Sequence, residues 1–442
     1  MQTLIWEQLD TEARRAALAR PVAERSDSVR AQAQSIIDAV RTGGDAALRE
    51  LALRFDGAAP EALQVTAAEF AAARAELDAA QIQAIQIAID NVRRFHAPQL
   101  PQEYALETQE GVRCERLNRP LAAVGLYVPA GSAPLPSTVI MLAVPAGIAR
   151  CPQRVLCTPP RRDGRANPAV LVAAELCGID TVFKVGGAQA IAALAYGTES
   201  IPKVAKIFGP GNAWVTAAKQ LVAADPDGAA LDMPAGPSEV MVVADDSADA
   251  GFVAADLLAQ AEHDPSAQAI LVTTSATLAA QVDTAVRTQM QTLSRNAILQ
   301  QSVQSVRLLV VNELNTALDI VNDYAPEHLL IQTREPRALL PHVDSAGSVF
   351  LGRWTPESMG DYCSGTNHVL PTYGYARAYS GLSVLDFVRR MTVQELSRSG
   401  LKGLGPTAAT LAHLEGLDAH ARAVELRLES AAAQGTLSGG HA

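Results

Sequence analysis

Two short segments of the chain pair an imidazole with an oxygen donor at a spacing that chemistry can use. Gln260 and His263 stand three residues apart near the end of an apolar-periodic stretch that begins at about Ala250 and stops before Pro265. On a helix they share one face. A carboxamide oxygen and an imidazole nitrogen are both acceptable to zinc once two or more further side chains converge. The same pair also describes an ordinary solvated helix end, where histidine suits the negative pole of the helix dipole. The second segment, Tyr324-Ala325-Pro326-Glu327-His328-Leu329, puts a carboxylate beside an imidazole at the head of an apolar strand. Histidine there suits general-base work near neutral pH, and glutamate can polarise a water. Neighbours on a strand point to opposite faces, so the two act together only if the backbone turns, which Pro326 permits. Without that turn they are a solvated strand entrance.

Two further segments carry an acid and a histidine. Residues Trp354 to His368 form a long polar stretch with little periodicity, and Leu411 to Arg422 holds Glu415 and His420 beside the last helical pattern. Three glycine-containing loops, PAGSAP, VGGAQA and FGPGNAW, each follow a strand-like run. Such loops free backbone N–H groups to approach a phosphate at a helix N-terminus, where the dipole favours an anion. None is the dinucleotide fingerprint, because FGPGNAW has Trp214 where the third glycine would pack. Three together point toward a nucleotide site.

The elements that must position these groups follow from the hydrophobic periodicity. Residues 1–25 read as a short arm. From Asp27 to His96 the pattern is helical, with a break at Gly43-Gly44, and Asp45 and His96 read as structural or surface residues. Pro98, Pro101 and Pro120 suit a domain junction. From Val124 strand and helix alternate in two successive series, the second opening with EVMVV after Ser238. This predicts an α/β fold of two tandem, incomplete Rossmann-like units, each doubly wound and mostly parallel, with a helical N-terminal part and a small helical C-terminal extension. An internal duplication is suggested by pattern alone. Ligands are expected at the carboxyl ends of the strands. The final SAAAQGTLSGGHA, with His441, reads as a disordered tail.

Bulk properties exclude some functions. A chain of 442 residues is too long for one ordinary core, and a net charge of -11 argues against nucleic acid or an acidic membrane surface as partner. The five cysteines lack CxxC spacing, so neither a disulfide framework nor a thiolate zinc site is indicated, and reduced thiols in a cytoplasm fit best. STVIMLAVPAGIA is too short, and too broken by Pro145, to span a bilayer, and MQTLIWEQLDTEARR has no apolar export signal.

Taken in order, GLYVPAGSAPLPST, GGAQAIAALAYGT, FGPGN, AGPSEV with VAADLLAQAEHD, YAPEHL, GDYCSGTNHVLPT and EGLDAHARAVELR resemble the histidinol dehydrogenase family, from the arm to about Arg427. The resemblance implies oxidation of L-histidinol to L-histidine through bound L-histidinal with two NAD, the last step of histidine biosynthesis. It implies one zinc per subunit held by Gln260, His263, Asp361 and His420, with Glu327 and His328 as the acid/base pair. It further implies Tyr127, Gln189 and Asn212 around NAD. Substrate contacts would come from Ser238, Glu415, His328 and the metal ligands. A cytoplasmic homodimer with shared sites is implied, the C-terminal segment crossing to the partner. The corresponding division is an arm of 1–25, a first large domain of 26–123 plus 238–382, an NAD domain of 124–237 and an extension of 383–442. Two other classes compete: a thiol-based aldehyde dehydrogenase using Cys151 or Cys363, and a zinc hydrolase in which Glu327 activates water. A non-catalytic nucleotide-binding module leaves the convergent polar side chains unexplained.

Overall fold

The computed structural model describes residues 1–20, 27–58, 60–130, 133–234 and 236–437. The end of the expected arm, Gly131-Ser132 of the first glycine loop, Ala235 of the turn before Ser238, and the last five residues with His441 lie outside the described residues. The chain forms two compact units, one of residues 1–100 and 121–387, the other of 101–120 and 388 onward. Among the described residues the strands make three sheets.

The first unit holds two parallel sheets. The five-stranded one runs in the order Val182–Lys184, Gln153–Thr158, Ala123–Tyr127, Lys206–Phe208, Ala230–Leu231. The six-stranded one runs Gln2–Ile5, Arg307–Val310, Gln268–Thr273, Glu239–Ala244, His328–Gln332, Ser348–Leu351. Numbered within its own series, each sheet has the order 3-2-1-4-5, the second with the N-terminal strand added at its edge. The shared topology fits the suggested duplication, and it makes both sheets doubly wound about their first strand. The expected arm is therefore partly a sheet edge, since Gln2–Ile5 pairs in parallel with Arg307–Val310.

Packing explains why the strands of the second series read as unbroken apolar runs. Val240 and Val242 face one hydrophobic layer with Leu257, Leu271 and Leu308, while Met241 and Val243 face another with Ile270, Val321 and Ile331. A strand buried on both faces must be apolar at every position. The helix before Gly44, which has φ 52, packs Ala33, Ile37 and Val40 against Val155 and Phe183 of the five-stranded sheet and Ile191 of the helix Gly187–Tyr196. These helices thus belong with the sheet of 123–231, whereas the sequence grouping joined residues 26–123 to 238–382. Helical periodicity marks an apolar face without saying which sheet covers it. Asp45 accepts from Thr198 Oγ1 at 2.7 Å, and buried His96 donates Nδ1 to Val92 O at 2.8 Å, so both are structural.

The second unit is an antiparallel sheet of Val388–Leu396, Val112–Pro120 and Tyr104–Gln109 with the helices Arg398–Leu414 and Asp418–Leu437. Two differences from expectation appear. The proline-marked segment is a hairpin that leaves the first unit and supplies two strands, so the C-terminal extension beyond 383 is not purely helical. The last helix also continues to Leu437, through most of the expected tail.

Candidate active site

The helix Ala250–Ala261 follows the strand Glu239–Ala244 and runs back along the sheet, so its end returns to the edge where the strands begin. Asp249 caps its start, accepting from Gly251 N at 2.8 Å. At its end Gln260 is fully buried, and its Nε2 lies 3.2 Å from His263 Nδ1. Gln260 Oε1 is buried without a hydrogen-bond partner. On the same edge, Ala325 takes a left-handed conformation with φ 52 after the helix Leu314–Tyr324, and the chain turns through Pro326 into His328, the first residue of its strand. The turn brings Glu327 Oε2 to 3.7 Å from His328 Nδ1. The cluster thus sits at the amino edge of the six-stranded sheet, against the expectation of carboxyl ends for this unit. Its residues come from helix ends and strand entrances, which periodicity cannot assign to an edge.

His328 is the hub. Its Nδ1 lies 3.2 Å from Glu239 O, a carbonyl that can only accept, so Nδ1 carries a hydrogen and Nε2 is the exchangeable nitrogen. Nε2 stands 3.5 Å from Asp361 Oδ1, and Glu357 Oε1 lies 3.8 Å from Nδ1. Burial alone would lower the His328 imidazole, but Glu357, Glu327 and Asp361 outweigh it and hold it well above its ordinary value. Burial pushes Glu327 up to about 8 and raises Glu357 well above a normal carboxyl. Burial works against the ionised Asp361 as well, but His328, His368 and His263 hold it below its usual value. Glu357 is 1% exposed with both oxygens unpartnered. Three carboxyl groups, Asp361 ionised among them, surround one imidazole, an arrangement that a bound cation would stabilise, and the donor atoms of His328, Glu357 and Asp361 all lie within 4.8 Å of one another.

Several neighbours were given no role by the sequence. Glu357 stood in the polar loop, but nothing in its spacing marked it as buried. Asp256 is held by Gln332 Nε2 at 2.6 Å, and burial raises its pKa to about 7. His368 donates Nδ1 to Asp361 O at 2.9 Å and has Nε2 3.4 Å from Thr138 Oγ1. Asn367 Nδ2 donates to Met141 O at 2.9 Å. Thr138 and Met141 lie on the helix Pro136–Ile148 that follows the first glycine loop, so the loop of Asp361 touches the element leaving the carboxyl edge of the five-stranded sheet.

At that carboxyl edge, Tyr127 ends the central strand and is buried, its hydroxyl accepting from Gly187 N at 3.1 Å. Gln189 is buried in the first turn of the next helix, and Asn212 is exposed, capping the helix Ala213–Ala224 through Val215 N at 3.1 Å. Tyr127 and Asn212 follow the two strands between which the strand order reverses, the usual ligand crevice of such sheets, and Gln189 starts the helix after the edge strand Val182–Lys184. The loop of Asn212 is held from below: Gly209 N donates to Asp232 Oδ2 and Lys219 Nζ to Gly209 O, both at 2.8 Å. Gly209 has φ +126, and a Cβ there would collide with Tyr127 O. Gly209→Ala should cost about 1–3 kcal/mol in denaturant unfolding. An unchanged midpoint would mean that the loop relaxes freely.

Ser238 is half-buried beside the His328 strand and accepts Gln268 N through its carbonyl at 3.0 Å. His263 is exposed over part of its surface, yet crowding by protein lowers its imidazole against the opposing pull of Asp361. Glu415 and His420 belong to the second unit, where both are exposed at the junction of its two long helices. Cys151 is buried and its thiol is raised to about 11, the wrong direction for a nucleophile.

A doubly wound pair of sheets with glycine turns at helix starts and a buried acid/imidazole cluster defines an α/β enzyme. The histidinol dehydrogenase family model matches residues 19–428. A histidinol dehydrogenase of Vibrio parahaemolyticus serotype O3:K6 (strain RIMD 2210633) is 54% identical over 429 residues, covering 97% of this chain and 99% of that protein. One from Xanthomonas campestris pv. campestris (strain 8004) is 55% identical over 432 residues, 98% of this chain and 100% of that protein. The crystal structure of histidinol dehydrogenase from Elizabethkingia anophelis superposes with a TM-score of 0.92 at 44% identity, covering 97% of this chain and 98% of that one. The chain belongs to the histidinol dehydrogenase family and is an oxidoreductase.

Proposed function

We propose that this chain oxidises L-histidinol to L-histidine through L-histidinal with two NAD and one zinc per subunit, as the last step of histidine biosynthesis, in the cytoplasm. The observation that carries the reading is the His328 cluster, an imidazole with a fixed tautomer among three carboxylates. A substrate bearing an amine and an imidazole is the kind of cation such a site attracts. Gln260, His263 and Asp361, with the partner subunit's His420, would hold the metal. The residues fit it: Gln260 Oε1 is buried without a partner, burial favours the neutral, ligating form of His263, and Asp361 is held ionised. His328, Glu357 and Asp361 form a second candidate set, but it would occupy the imidazole needed as base. When bound, zinc would orient the substrate through its nitrogens rather than activate its hydroxyl.

Each protein group then has a task. Ser238 and Glu415, with the ligand residues, would hold histidinol so that its carbinol carbon faces the nicotinamide, and Tyr127, Gln189 and Asn212 would line the NAD crevice. The carboxylates alone would keep His328 protonated, but a cation held beside Asp361 favours its neutral form, and Nε2 then takes the alcohol proton as hydride passes from the carbinol carbon to the nicotinamide. Glu327, held through Glu239 N at 2.8 Å, positions the water that adds to the aldehyde. As that water adds, Glu327 takes a proton from it and His328 returns its own proton to the aldehyde oxygen, so Nε2 is free to accept one again as the hydrate gives up the second hydride. Retaining the aldehyde between steps shields it from side reactions. Among the described residues no helix is long and apolar enough to cross a membrane.

Histidinol and NAD together should raise absorbance at the reduced-nicotinamide band, and a chelator should abolish the signal while far-ultraviolet dichroism stays intact, because scattered ligands serve a site rather than a core. His263→Asn should mimic the chelator. Activity that persists after verified metal loss would sink the zinc assignment.

A further inference from the structure

The N-terminal segment reaches beneath the proposed acid/base pair through one residue. Arg20 lies just after the helix Thr11–Ala17, yet its guanidinium forks onto Glu239: Nε donates to Oε1, and Nη2 to Oε2 at 2.9 Å. The same Nη2 donates to Tyr324 O at 2.8 Å, and the guanidinium carbon sits 3.8 Å above the Tyr324 ring centroid. Glu239 is fully buried and also accepts Tyr373 N at 3.2 Å. One cation thus ties together the entrance of the central strand, the end of the helix before Pro326 and the loop after Leu370.

Glu239 is also where the acid/base pair is anchored, but through its backbone. Its N–H donates to Glu327 Oε2 at 2.8 Å, and its C=O receives His328 Nδ1 at 3.2 Å. Among the described residues only three non-glycine residues have positive φ, and two of them, Ala325 and Tyr373, follow or sit at the points that this network ties. Such conformations persist only where surroundings over-determine them. A buried ion pair is weak evidence for stability, since a packed apolar pair of similar volume is often as stable. Its geometry here supplies a reason to keep it.

We propose that Arg20 is a positioning residue for the acid/base pair, holding Glu239 and the Tyr324–Pro326 turn so that Glu239 keeps the Nδ1 hydrogen of His328 in place and turns Nε2 toward the substrate. This rests on the role of His328 given above. Arg20 touches neither substrate nor reacting atoms in that arrangement. It acts through the backbone of Glu239, and lysine, which lacks the planar fork, replaces it only in part.

The test compares the metal-loaded full chain with Arg20→Ala, Arg20→Lys and the charge-free double variant Arg20→Met with Glu239→Gln, all carrying 15N-labelled imidazoles. The His328 nitrogens are assigned by their loss in His328→Asn. Arg20→Ala should lower kcat for histidinol and for histidinal alike by about 10- to 100-fold, the usual scale for a supporting hydrogen-bond partner, with little change in KM. Arg20→Lys should fall between, added guanidinium at non-denaturing concentration should restore part of the Arg20→Ala rate, and the His328 nitrogen shifts should move. Normal kcat with unmoved His328 shifts overturns the proposal, as does a lower melting temperature alone with no kcat change per folded molecule. If Arg20→Ala does not fold, the double variant, which buries no lone charge, decides: full kcat there overturns the proposal, and a lowered kcat supports it. A parent chain that fails to oxidise histidinol sinks the proposed function instead, and the nitrogen shifts of parent and variant still decide the role of Arg20.

Discussion

His328→Asn is expected to reduce both oxidations by about 100- to 10,000-fold, the range associated with losing a positioned general base. Asparagine keeps a donor toward Glu239 O but offers no basic nitrogen where Nε2 stood, so the histidinol and histidinal steps fail together. Glu327→Gln should separate them, because only the aldehyde step needs an added water. Supplying histidinal directly and comparing it with histidinol decides this, and equal losses on both substrates would contradict the assigned role. The two steps should also differ in pH response. Burial raises Glu327 to about 8, and the base must be ionised to work, so kcat/KM for histidinal should climb with pH up to that region and fall below it. Bound cations nearby pull a carboxylate down, so the metal-loaded enzyme shows this limb at or below that value. In Glu327→Gln the limb should vanish, and a limb that survives belongs to another group.

A mixed dimer of one His263→Ala chain and one His420→Ala chain should recover roughly half of the parent activity although each homodimer is dead, provided the C-terminal segment crosses between subunits. With crossing, one site receives both lesions and the other receives neither. If the segment folds back on its own subunit, each site carries one lesion and the mixed dimer stays inactive. Differently tagged chains, co-expressed and purified through both tags, give the measurement. The exposure of Glu415 and His420 within their own unit is what makes the question worth asking, since neither side chain is buried among residues of its own unit. Shared sites would also make metal binding and dimerisation mutually dependent, so dilution of metal-free protein should favour monomer.

Local chemistry in the chain determined a good deal. Runs apolar at nearly every position, such as EVMVV and QAILV, read as strands, and glycine-containing loops marked the passages from strand to helix, so the two parallel α/β units were readable in order. The Gln260/His263 pair was visible because helix geometry puts residues three apart on one face, and Glu327-His328 because Pro326 permits the turn that lets strand neighbours meet. Tertiary structure decided the rest. Which sheet covers the N-terminal helices, the pairing of the 101–120 hairpin with Val388–Leu396, and the placing of the cluster at the amino edge all depend on contacts between segments far apart in sequence. Glu357 and Arg20 show the reason most directly. Each is an ordinary charged residue among polar neighbours, and only burial beside His328 for one, and the fork onto Glu239 for the other, gives its charge a consequence. Desolvation and partner geometry are properties of the folded chain, and no local pattern encodes them.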